Sequence, residues 1–257
     1  MKNFCGIHPT SLIGDGVSLG ENVVIGARSI LYDNVVIGDN CKIGADVILG
    51  EPNAGIYQDA DAYKNPPLVI GKSSIVRSGS ILYAGSTFGE RLETGHRVTI
   101  REGTSAGVNL RVGTLSDIQG NCHIGNYVRF HSNVHIGQHS RVDDYVWIFP
   151  YVVLTNDPHP PSETMRGVVV ERFAVVATMS VILPGVVVGE DSLVGAGSIV
   201  TRNVGKEDVV AGNPAKRVCS VRDIKSKENG SSVYPWRYSF DRGMPWEGRG
   251  YDHWASE

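Results

Sequence analysis

The chain has 257 residues, with 24 Lys and Arg against 27 Asp and Glu and a net charge of −3. That balance argues against a nucleic-acid or anionic-membrane partner, and no run approaches the roughly 18 consecutive apolar residues of a membrane span. The length suits one elongated domain, and the segment from Met1 to Cys5 enters a repeat directly, without a signal peptide, so a cytoplasmic protein is the expectation.

From Ile7 an aliphatic residue recurs at every sixth position through Ile13, Leu19, Ile25, Leu31, Ile37, Ile43 and Leu49. This fits neither the helical repeat of about 3.6 nor the alternation of a half-buried strand. It is the period of a hexapeptide parallel β-helix, so the predicted fold is all-β, with short strands and tight turns winding into a prism. Position one of each hexad points inward. Position five is inward but small or β-branched, as at Val17, Ser29, Val35 and Cys41, and position six faces out. Gly often fills position two, as at Gly14, Gly20, Gly26, Gly38 and Gly44, where it would let the corner adopt backbone angles a side chain resists.

A break at about 50–69 carries Tyr57 and Tyr63, and the period then resumes from Ile70 to Leu154. Thr94 and Ala106 are weak members of this block, and an irregular wall is expected there. A second break at about 155–169 contains Asn156, Asp157 and His159 among three prolines, a stiff loop suited to ligand positioning. The last block runs from Val170 to Val200, which brings the total to roughly nine or ten coils. The repeat domain is placed at 1–218. Residues 219–233 read as a linker or short helix, and the aromatic and Arg-rich tail from Tyr234 to Trp254 is expected to dock on its own coil or a neighbour, or to help close a site.

Residues about one coil apart stack on the same wall. This places His135 over Asp117, where the carboxylate would set one imidazole tautomer and leave His135 a candidate general base. A plain surface ion pair is the equal alternative. Glu93, Arg111, Arg129 and Trp147 form another outward stack, suited to phosphate or to a subunit contact. None of His123, His131, His135 and His139 stack directly on one another, so three convergent metal ligands would need adjacent subunits, and no metal is expected. Cys41 and Cys122 are inward position-five residues, Cys5 and Cys219 lie at the edges of the coil, and all four read as structural.

The run from Pro184 to Thr201 and the closing VAGNPAKRV of Val210 to Val218 resemble the hexapeptide-repeat acyltransferases. The resemblance implies a left-handed β-helix, a homotrimer, and acetyl-CoA as co-substrate along a cleft between subunits. Segments 94–102, 124–136 and 146–157 are similar to acetyltransferases that modify the amine of nucleotide-linked amino sugars for surface polysaccharides. That likeness maps Asn133 near the acceptor amine and places Asn156 and Asp157 at the same pocket, with His159 beside them. His131 stands where such relatives more often carry Gln.

The implied reaction is direct attack of a neutral amine on the thioester, for which the protein supplies orientation, oxyanion stabilisation and a proton acceptor. Asn133 is expected to orient the acceptor, with His131 or His135 taking the proton. Arg129 is assigned to the substrate, and Trp147, Lys216 and Arg217 to the cofactor. O-acetyl transfer, another small-amine acceptor, a γ-type carbonic anhydrase and a non-catalytic assembly platform are the alternatives.

Overall fold

A computed structural model describes residues 6–257; Cys5 and the segment before it lie outside the described residues. The chain winds into a left-handed prism with three flat parallel walls. The first wall runs from Leu12–Ile13 to Ile199–Val200 in ten strands, and the second from Ser18–Leu19 to Val187–Val188 in nine, counted among the described residues. The third runs from Val24–Ile25 to Leu193–Val194, then adds the hairpin Asp208–Gly212 and Ala215–Ser220, whose last pairing is antiparallel. The register of one coil recurs along the walls, as in Ile13↔Leu31 and Ile118↔Ile136, with a shift at Leu82/Tyr83 where the first interruption leaves.

Position-one residues form the core: Ile43, Ile118, Ile136 and Leu154 are 0% exposed. Each contributes about 1.5–3 kcal/mol by burial. Position-five serines are satisfied within the wall. The Ser74 hydroxyl donates to Gly71 O (2.7 Å) and accepts from Leu92 N (3.1 Å). Cys41 and Cys122 take equivalent places, their thiols donating to Gly71 O and Gly120 O, and burial pushes the Cys122 thiol up to about 11.

Two expectations are corrected. Gly14, Gly20, Gly26, Gly38 and Gly44 do not supply the unusual backbone angle. A Cβ on Gly26 would lie 2.5 Å from the Gly44 carbonyl carbon, so close approach of successive coils is what excludes a side chain there. The left-handed conformation falls instead at position four, on residues such as Asn22 (φ 55°), Asn40 (φ 58°) and Tyr145 (φ 62°). The wall is also regular through Thr94 and Ala106, which pair with Val112 and Ile124. The Thr94 hydroxyl remains acceptable in the interior because it accepts from Arg77 N at 2.9 Å.

Both interruptions leave from the corner between the first and second walls, after Glu51 and after Leu154. The earlier one is tied down by Asn65, whose amide donates to Gly50 O at 2.8 Å. The C-terminal segment folds back onto the third wall. There Trp236, Met244 and Trp246 pack with Tyr145, Phe173 and Val175 as a second apolar cluster. Trp236 Nε1 donates to Phe173 O at 2.8 Å, and Arg237 pairs with the Asp191 carboxylate.

Candidate functional site

The third wall presents the outward column Glu93, Arg111, Arg129, Trp147, in register on successive coils. Because the tail crosses this column, a cleft of about 660 Å3 remains between them. The wall contributes Arg77, Glu93, Arg111, Arg129, His131 and Trp147, and the tail contributes Phe240, Arg242 and Glu247. The volume lies within the range of small-molecule sites. A smaller apolar slot of about 250 Å3 adjoins it, sharing His131, Trp147, Phe240 and Arg242.

Arg129 is 5% exposed, and its guanidinium donates to Asn109 O, Val128 O, Asn109 Oδ1 and, at 2.9 Å, Gly243 O of the tail. Burial, with the neighbouring Arg111 charge, lowers its pKa to about 10. Its donors are largely spent on the protein, so it acts as a fixed positive charge behind the cleft and as a strut for the tail. Trp147 Nε1 is buried with no acceptor among the described residues; such an orphaned donor costs about 1–3 kcal/mol.

Three of the expected site residues lie within five positions across the corner after Phe130. His131 stacks on Phe149, one coil on, at 4.5 Å and 15°. Burial holds its imidazole below the ordinary histidine range, which favours the neutral, proton-accepting form. Asn133 sits at the tip with φ 59°. His135 lies on the first wall, where its Nδ1 is 3.1 Å from Asp117 Oδ2. Burial works against the Asp117 charge, but hydrogen bonds from His135 and Gln119 outweigh it and hold the carboxyl below its usual range. With Nδ1 engaged, Nε2 is the atom of His135 left to exchange a proton.

The other expected residues are elsewhere. Asp157 is committed to its own loop, accepting from His159 N (3.0 Å), Ser162 N (2.9 Å) and Ser162 Oγ (2.6 Å). Asn156 O accepts from Arg166 N, closing the same loop. Lys216 and Arg217 lie on the closing hairpin, and Arg217 pairs with Asp208 at 2.5 Å. The fold thus joins Arg129, His131 and Trp147 in one cleft and sets Asn133 and His135 on the far side of the adjoining corner. It leaves the second loop and the hairpin apart from that cleft. Arg77, Phe240, Arg242 and Glu247 were not among the expected site residues. The His131–Phe149 stack was available from their spacing of one coil, whereas no local signal ties the tail to this column. Among the described residues no three His, Cys, Asp or Glu side chains converge as metal ligands.

A family model for bacterial transferase hexapeptide (six repeats) matches residues 16–51, and one for the hexapeptide repeat of succinyl-transferase matches 174–202. Galactoside O-acetyltransferase of Escherichia coli (strain K12) is 31% identical over 113 residues, covering 40% of this chain and 56% of that protein. 2,3,4,5-Tetrahydropyridine-2,6-dicarboxylate N-acetyltransferase of Clostridium perfringens (strain SM101 / Type A) is 44% identical over 69 residues, 27% of this chain and 28% of that one. The chain therefore spans little more than half the length of the first of these relatives and less of the other. The solved structure of Arabidopsis UDP-N-acetylglucosamine acyltransferase shares the fold, with a TM-score of 0.55 at 18% identity over 86% of this chain and 74% of that one. The period of six, the three-walled prism and these matches together give the chain the hexapeptide-repeat fold and make it similar to the acyltransferases built on it.

Proposed function

We propose that the protein is a cytoplasmic, acetyl-CoA-dependent N-acetyltransferase acting on the amine of a nucleotide-linked amino sugar destined for surface polysaccharide. The observation that carries this reading is the corner from His131 to His135, beside an arginine-lined cleft. It offers a neutral imidazole, an amide at the tip and a second imidazole oriented by a carboxylate. In this reading Asn133 orients the acceptor and His131 or His135 accepts the amine proton as the C–N bond forms and the thioester C–S bond breaks. The CoA thiolate leaves and is then protonated. Trp147 with Lys216 and Arg217 is assigned to CoA, and Asn156, Asp157 and His159 to the acceptor's border. Arg129 contributes its charge to the acceptor. No metal takes part in this scheme.

A homotrimer belongs to the same proposal. It is supported by the edge between the third and first walls, where Leu115, Tyr151 and Met179 are 52%, 58% and 65% exposed on either side of Asn133. A neighbouring copy would cover that apolar edge and bring its own surfaces to the corner. The likeness to a galactoside O-acetyltransferase favours transfer to a sugar hydroxyl as the second reading.

Thiol release from acetyl-CoA, measured with UDP-, dTDP- and GDP-linked amino sugars and their hydroxy analogues, separates the two. Turnover with one amino sugar alone is expected. Turnover only with hydroxy analogues would convert the reading to O-transfer, and silence across the panel with no CoA binding would end both.

A further inference from the structure

The C-terminal tail completes a cleft whose two compartments differ in chemistry. The larger places guanidinium groups on opposite sides, Arg77 and Arg111 on the wall and Arg242 on the tail. Arg77 and Arg111 share a single carboxylate, Glu93, at 2.7 and 3.4 Å, so this trio keeps a net positive charge. Arg242 is exposed and lies 5.7 Å from the Phe240 ring, with no ion pair among the described residues. Behind them the Arg129 charge is bonded, among the described residues, only to neutral oxygens. The other lining carboxylate, Glu247, accepts from Gly243 N at 2.9 Å. Four arginines therefore face two glutamates in a concave site, which concentrates the positive field. The smaller compartment continues from it and is walled by aromatic rings, Phe149, Tyr234 and Trp236 among them.

We propose that this tail-closed cleft binds a diphosphate joined to a planar ring, with Arg77, Arg111 and Arg242 holding the diphosphate and the aromatic slot receiving the ring. The tail then determines ligand specificity, through Arg242 above all. This deepens the acetyl-transfer reading and rests on it for the ligand's source. The nucleoside diphosphate of the acceptor and the adenosine diphosphate end of CoA share the chemistry. Guanidinium forks match phosphate oxygens, and a stacked ring adds affinity that a bare anion lacks.

The test is titration of the full chain with inorganic pyrophosphate, UDP, dTDP, GDP and CoA, followed by calorimetry and tryptophan fluorescence. Pyrophosphate is expected to bind weakly, and at least one nucleotide or CoA more tightly and with loss of affinity at high salt. Competition between CoA and the preferred nucleotide then assigns the source. Arg242→Ala should weaken binding about 10-fold or more, the worth of a charge-assisted hydrogen bond. Arg28→Ala, which removes an exposed charge on a distant coil, should change it little. No binding at millimolar ligand, or equal effects of the two substitutions, would overturn the site. Loss of acetyl transfer with nucleotide binding intact would sink the enzymatic reading and leave this one standing.

Discussion

Replacing Arg237 by Ala should release the tail from the solenoid without unfolding the solenoid. The Arg237 and Asp191 side chains are 12% and 1% exposed, and each leaves one polar atom, Arg237 Nε and Asp191 Oδ2, without a partner among the described residues. The guanidinium also lies 4.5 Å from the Phe173 ring and 5.0 Å from those of Tyr238 and Tyr251. Removing it strands a buried carboxylate, and breaking such a pair costs about 3–5 kcal/mol. At about 1.4 kcal/mol per decade, the opening equilibrium of the tail should rise by roughly 100- to 4,000-fold. The cost falls on the docked state alone, because Asp191 is rehydrated once the tail lifts. Native-state hydrogen exchange reads this directly. The amides of Phe240 (to Trp236 O, 2.9 Å) and Gly250 (to Trp246 O, 3.1 Å) should lose protection, while Asp117 N (to Val134 O, 2.9 Å) keeps it. In the variant, docking should recover as pH falls and Asp191 takes up a proton. A change in tail protection below 10-fold, or equal loss in the solenoid, would refute the reasoning.

The remaining predictions concern separate parts of the molecule. Because burial depresses the His131 pKa, the unfolded chain binds its proton first. The stability this group contributes is then complete above about pH 6.5 and is lost as pH falls through the lower folded value, so His131→Asn should flatten that part of a urea-midpoint profile. Gly26→Ala should cost about 1–3 kcal/mol by forcing successive coils apart, whereas Ser73→Gly, at φ 58°, should change the unfolding free energy by less than about 1 kcal/mol, both read from urea denaturation. Asp157→Ala should speed proteolysis within residues 158–165 at unchanged global melting temperature, since it deletes three of the bonds that hold that loop. Sedimentation should give a trimer, and Tyr151→Lys combined with Met179→Lys should shift it towards monomer; a wild-type monomer at micromolar concentration refutes the assembly.

The solenoid was legible because its information is local and repeated. A residue such as Ile118 reports its own burial through its place in the hexad, and Ile136 one coil later confirms it. The Asp117–His135 pair follows from the same arithmetic, and so do the two interruptions, which announce themselves as lost period. Thr94 misled because side-chain type was weighed without the wall's ability to supply a donor to a hydroxyl. The tail's contacts were illegible for a different reason. Arg129 meets Gly243 across 114 positions and Asp191 meets Arg237 across 46, with no period linking either pair. Composition alone showed that so aromatic a segment needed a surface, and left open which one.

The corners explain why the tail lies where it does. A non-Gly residue in the left-handed region costs roughly 1–2 kcal/mol, and Asn or Asp bears this best. At the corner between the second and third walls Asn22 and Asn40 follow that rule, but higher up the same column holds Tyr127 (φ 56°), Tyr145 (φ 62°) and Phe173 (φ 61°). These rings stack on one another, 5.7 Å between Tyr127 and Tyr145 and 4.9 Å between Tyr145 and Phe173. Trp246 then covers Tyr145 at 5.2 Å, and burial under it helps push the Tyr145 phenol up to about 12. Stacking at about 0.5–1.5 kcal/mol per pair, with the area buried beneath the tail, offsets the backbone cost. The column from Leu115 through Asn133 and Tyr151 to Met179 carries the same left-handed strain at the next corner, where Leu115, Tyr151 and Met179 remain exposed and Asn133 is half-buried. Of these two equally strained corners one is covered by the chain's own tail, and the other, beside Asn133, is the edge on which the proposed trimer would close.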